Sequence, residues 1–97
     1  MSSVKINNKT YAVPEFTFRH SKLLEQYGVS LKKLASADHI LTIASAFVAI
    51  VTNTDVDTAD HLIEQHMLGG GDLIEIYNAY VTALGESDFF KKLLGEE

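Results

Sequence analysis

The reading of this chain turns on Ile40–Val51, ILTIASAFVAIV, twelve residues without a charge, a glycine or a proline. Over Ala37–Thr52 the polar and small residues Asp38, Thr42, Ser45, Ala49 and Thr52 recur at steps of four, three, four and three. That is a single narrow stripe along a helix. Ile40, Leu41, Ile43, Phe47, Val48, Ile50 and Val51 take the rest of the circumference. A helix apolar over most of its surface is a buried centre with neighbours on several sides. The run falls short of the ~20 apolar residues that a membrane span requires, so no membrane partner is expected.

Working outward, the polar NTDVD stretch ends the central helix, and Asp57 is the expected N-cap of the next. Ala59, Leu62, Ile63, His66 and Met67 form its apolar face, and Gly69-Gly70-Gly71 ends it. Three consecutive glycines are costly to order, which marks them as a candidate hinge or mobile loop. Asp72 caps a further helix with a face of Leu73, Ile76, Tyr77, Tyr80 and Leu84, closed by Gly85. Ser87 opens a last short helix bearing Phe89, Phe90, Leu93 and Leu94.

In the other direction, Ser36 caps the central helix and Ser30 caps a short turn over Leu31–Leu34. Pro14 suits the first turn of a helix beginning near Glu15. Phe16, His20, Leu23, Leu24 and Tyr27 give that helix one face, and Gly28 its C-cap. In VKINNKTYAV, Val4 to Val13, two β-favouring runs flank Asn7-Asn8-Lys9, the pattern of a hairpin. The expected fold is mainly α: a helical bundle of four main helices plus one or two short ones, with an N-terminal β-hairpin. It forms a single domain over 1–97, with the hairpin in 1–13 and the bundle in 14–97.

Hydrophobic residues make up 46% of the chain, enough for a real core, and there is no cysteine for disulfide or thiolate chemistry. The opening MSSVKINNKT lacks the apolar core of a signal peptide, so a cytoplasmic location is expected. The net charge of −5 argues against nucleic acid as the main partner. Residues 1–53 hold six bases and three acids, whereas residues 54–97 hold two bases and ten acids. This asymmetry fits head-to-tail self-association or a basic partner, and equally an uneven solvated surface.

No constellation points to catalysis, a cofactor or a metal. His61 and His66 are five residues apart, about 140° around a helix, the wrong offset for a shared metal. His20 and His39 have no partner fixed by spacing. Asn53–Asp57 starts like a calcium loop, but Thr58 stands where a glycine is required. GGGD lacks the Lys-Ser/Thr of a phosphate loop. The candidate sites are therefore surfaces for a protein partner. One is the C-terminal helix with Phe89, Phe90, Leu93 and Leu94. Phe89 and Phe90, being adjacent, cannot both enter the core, and the helix serves as a lid of the core, a docking element, or both. The other is the small-residue stripe Thr42, Ser45 and Ala49, which would let a client helix or second subunit approach closely.

KINNKTYAVPEFTF resembles the opening of small tail assembly chaperones made by long-tailed phages and prophages of Gram-positive bacteria. LGGGDLIEIYNAYVTAL and the SDFFKKLL ending are similar in layout too. The resemblance implies a non-enzymatic protein in the cytoplasm of the bacterial host. It would bind the phage tape measure protein transiently, keep it soluble before the tail tube forms, and self-associate. It also implies a short form and a frameshifted longer form, and no catalytic or metal residues. The alternative is a small acidic adaptor or regulatory module unrelated to tails.

Overall fold

The computed structural model describes residues 2–95, so the acidic ending Glu96-Glu97 lies outside it. Among these residues a two-stranded hairpin is followed by five α-helices and two single 3-10 turns. β1 (Ser2–Ile6) and β2 (Lys9–Val13) are antiparallel, with Ile6 opposite Lys9 and Ser2 opposite Val13. Asn7 and Asn8 make the turn, both at positive φ (53° and 67°). This is the pattern of a type I′ turn, whose twist matches the strands and which asparagine tolerates. Strand alternation sends Val4, Ile6 and Val13 into the core. β1 packs on α4 (Leu73–Glu86), and β2 against α2 (Ile40–Thr52).

The expected central helix is present and deeply buried. Ile43, Ala44, Ala46, Phe47, Val48 and Ala49 of α2 are all in the core. Its first turn differs from expectation: Ala37–His39 is a 3-10 turn, with Ser36 Oγ accepting the Asp38 N–H at 3.3 Å.

Phe16 joins the elements. Its fully buried ring lies 5.3 Å from His20, 6.1 Å from Phe47, 6.0 Å from Phe90 and 6.3 Å from Tyr80, centroid to centroid. Those partners come from α1 (Phe18–Gln26), α2, α5 (Asp88–Leu93) and α4. Buried Ser87, between α4 and α5, donates its hydroxyl to the Phe16 carbonyl (2.5 Å) and accepts the Phe90 N–H (3.1 Å).

This hub explains why α1 starts at Phe18 and not near Glu15. Pro14–Thr17 runs non-helically so that Phe16 can reach the core. Thr17 then becomes the N-cap, and His20 folds back to accept the Thr17 N–H through Nδ1 at 3.0 Å. His20 thus takes the place that Glu or Gln fills in a capping box. Two further boundaries move. α3 (Val56–Leu68) is capped by Asp55 rather than Asp57, with Oδ1 accepting the Thr58 N–H at 2.8 Å. α4 runs through Gly85 to Glu86, and Ser87 ends it while capping α5.

Gly69, Gly70 and Gly71, the candidate hinge of the sequence, form a fitted helix end in this conformation. Gly70 has φ +99°, its N–H bonds the Met67 carbonyl (3.1 Å), and the Gly71 N–H bonds the His66 carbonyl (2.8 Å). This is the double bond of a Schellman motif. A Cβ on Gly71 would fall 2.3 Å from His66 Nε2. The imidazole has little freedom to retreat, since its Nδ1 accepts the Asn7 N–H at 2.9 Å. The loop, α3 and the hairpin turn are locked together through one side chain.

Thermal melting of three alanine variants tests this. Gly71→Ala is expected to destabilise by more than 1 kcal/mol, on the order of an overpacked site. Gly70→Ala is expected to cost about 1 kcal/mol through its positive φ. Gly85→Ala, inside α4 with open space at its Cβ, is expected to stabilise by about 0.5–1 kcal/mol. Equal, small effects at all three would contradict the fitted helix end.

A second prediction concerns pH. Burial, and secondarily the Arg19 charge, hold the His20 imidazole below its ordinary value. The unfolded chain therefore takes up the proton more readily than the folded one. This contribution to stability is complete above pH about 6.5 and is lost as pH falls from there through the lowered folded value. Asp55, lowered by the Thr58 hydrogen bonds, acts in a separate and more acidic window. Melting between neutral and mildly acidic pH should show a smaller loss for His20→Gln, which can keep the cap without titrating. An unchanged loss would contradict the assignment.

Candidate partner-binding groove

α3 is the least covered of the long helices: of its 13 residues only Ala59 and His66 are buried. The reason lies in how it is hung. α2 ends at Asn53, in the left-handed region (φ 56°), with Thr54 N–H bonding the Ala49 carbonyl at 3.0 Å. The chain turns 105° into α3. α3 packs on α2 through its buried Ala59, with Leu62 and Ile63 half-buried against the core, while Met67 and Leu68 at its far end are exposed. That end is fixed by His66 to the hairpin turn, and Gln65 Oε1 accepts from Asn7 Nδ2 at 3.2 Å.

The open side of this crossing is a groove of about 340 Å³. Leu41 and Ala44 of α2 line one wall. Asp60, Ile63, Glu64 and Met67 of α3 line the other, at helical spacings of three, one and three, and Leu73 of α4 closes the end. Leu41 (72%) and Met67 (48%) are open to solvent, Ile63 and Leu73 are half-buried, and Ala44 is buried. Leu68 and Ile74, next along their helices, are exposed too. Ser45 donates its hydroxyl to Asp60, holding that carboxylate on the rim. Among the described residues no lysine or arginine lines the groove. Indeed none occurs anywhere between Lys33 and Lys91, the span that contains α2, α3 and α4.

The structure disperses the residues expected to bind a partner. Phe90 is fully buried in the Phe16 hub and is corrected from a surface candidate to a core residue. Phe89 is half-buried, edge-on to Phe18 at 5.9 Å. Leu93 and Leu94 are exposed. The small-residue stripe on α2 is already in use within the chain, which corrects its reading as a free surface. Ala49 is buried, Ser45 is tied to α3, and the Thr42 methyl lies 3.4 Å from where a Cβ on Gly28 would stand. The stripe lets this chain's own elements approach α2.

The groove itself is not legible in the sequence. Leu41 lies on the broad apolar circumference of α2, and Ile63 and Met67 on the apolar face of α3. Nothing in their spacing says that no neighbour covers them. The available signal was the coincidence of α3's acids, Asp60 and Glu64, with that face.

The histidines are scattered. His20 and His66 accept backbone N–H groups, and His39 and His61 are exposed. Among the described residues no three His, Asp or Glu side chains converge so as to hold a metal, and no single helix is long and apolar enough to cross a membrane.

The two ends of α5 are expected to respond differently to truncation. Phe90→Ala should lower stability by about 3–5 kcal/mol, as for a filled aromatic core site. Leu93→Ala, on the surface, should change it by no more than about 0.5 kcal/mol. Denaturant titration checks both, and a small loss for Phe90→Ala would contradict the burial of α5.

No family model matches the chain, and no curated protein and no solved structure is significantly similar to it.

Proposed function

We propose that this chain is a tail assembly chaperone of the kind made by long-tailed phages and prophages of Gram-positive bacteria. In this reading it binds the tape measure protein transiently in the host cytoplasm and keeps it soluble until the tail tube forms, without catalysis. The observation that carries the reading is the open apolar groove between α2 and α3, on a small helical protein with an acidic second half. A holdase needs apolar surface to shield a client's own, and enough charge to stay soluble while exposing it. The groove supplies the first, and the ten acids after Asn53 supply the second. The pattern of the hairpin opening, the glycine break and the phenylalanine-rich ending adds the resemblance to such chaperones.

The test is co-expression with the tape measure protein encoded beside this gene. The expected outcome is a clear shift of the tape measure from the insoluble to the soluble fraction, and its co-purification with this chain. A tape measure equally insoluble with and without the chain would contradict the proposal.

A further inference from the structure

We infer that the groove between α2 and α3 takes one class of ligand: an amphipathic helix whose apolar stripe is flanked by lysines and arginines. This deepens the chaperone reading and rests on it only for the identity of the client.

The shape argues for a helix. The groove wall on α3 is a stripe at positions 60, 63, 64 and 67, two helical turns about 10 Å long. An apolar face repeating at i, i+3, i+4 and i+7 lies along such a stripe, the helix-in-groove mode of recognition. Ala44 is the small residue of the α2 wall, and Leu41, Ile63 and Leu73 offer the apolar contact. Met67 adds a flexible, polarisable side chain that adapts to clients of differing sequence.

The charge decides which helix. Asp60 and Glu64 stand one turn apart on the groove's edge, and Asp60 is held there by the Ser45 hydroxyl. All eight bases of the chain lie outside the three helices that form the groove. An acidic ligand would meet two carboxylates in a groove that, among the described residues, no lysine or arginine lines. A basic flank would pair with both, and the pairing would be screened by salt.

The experiment uses the full chain and fluorescein-labelled helical peptides of about 18 residues, about 27 Å long. One carries a leucine stripe with lysine and arginine flanks, and one the same stripe with glutamate flanks. A third has the basic composition with the leucines scattered. Fluorescence anisotropy is expected to show the basic amphipathic peptide binding at least about tenfold more tightly than either other, with the difference shrinking at high salt. Met67→Asp and Leu41→Asp alter exposed positions, so folding is retained and can be checked by circular dichroism. Each should weaken binding of the basic peptide about tenfold or more. Glu64→Gln should reduce the preference for the basic over the glutamate-flanked peptide.

Equal binding of the three peptides, or wild-type affinity in Met67→Asp, would overturn the inference. So would a peptide-free dimer that Met67→Asp abolishes in sedimentation, since the groove would then belong to a second copy. Co-expression separates this failure from that of the chaperone reading. If Met67→Asp solubilises the tape measure as well as wild type does, the groove assignment falls and the chaperone stands. If basic helices bind at Met67 while the tape measure stays insoluble, the chaperone falls and the groove stands.

Discussion

The packing of Phe16 is the constraint on which the rest of this structure depends. One ring touches aromatic partners on α1, α2, α4 and α5, and its carbonyl receives the Ser87 hydroxyl. Burying such a side chain contributes about 1.5–3 kcal/mol, and each well-placed ring pair adds about 0.5–1.5 kcal/mol. Local rules yield to it. Pro14 and Glu15 could begin a helix, yet the chain stays non-helical until Phe16 is in place. Thr17 and His20 then build the cap that the displaced start requires.

The hub also divides the molecule's apolar surface. By drawing Phe90 inward it makes α5 a cover for the core, leaving only Leu93, Leu94 and part of Phe89 at the surface. On the other side of α2 nothing plays that part. α3 crosses at a steep angle, anchored by Ala59 at one end and by the His66–Asn7 link at the other, with Leu62 and Ile63 half-buried between them and Asp60, Glu64 and Met67 exposed. A chain of this size has few elements with which to cover its helices. Here the uncovered face carries the carboxylates Asp60 and Glu64 and no base. The fold thus leaves an apolar groove with an acidic rim, and the proposed holdase role rests on it.

Much of this fold is legible residue by residue where the physics is local. Asn7-Asn8 announces its turn, and Asp72, Ser87 and Ser30 cap the helices they precede. The period of Ile40–Val51 identifies the buried helix. What is not legible depends on contacts distant in sequence. Gly71 reads as part of a flexible run, and only the His66 ring, itself pinned by Asn7 across 59 residues, explains why no side chain fits there. Ser45 reads as a small contact for a partner, yet its hydroxyl is spent on Asp60 of the next helix. The groove was hidden for the same reason. Amphipathic spacing tells which face of α2 or α3 is apolar, whereas the angle between the helices determines whether that face is covered.

The central claim is that a client occupies the α2–α3 groove and not the C-terminal helix. The chain has no cysteine, so a single thiol reports on one place. The most direct measurement is the rate of thiol labelling in Met67→Cys and Leu93→Cys, each free and in complex with the tape measure protein. The account predicts that the client protects position 67 and leaves position 93 as reactive as in the free chain. Protection at 93 with an unchanged rate at 67 would contradict it.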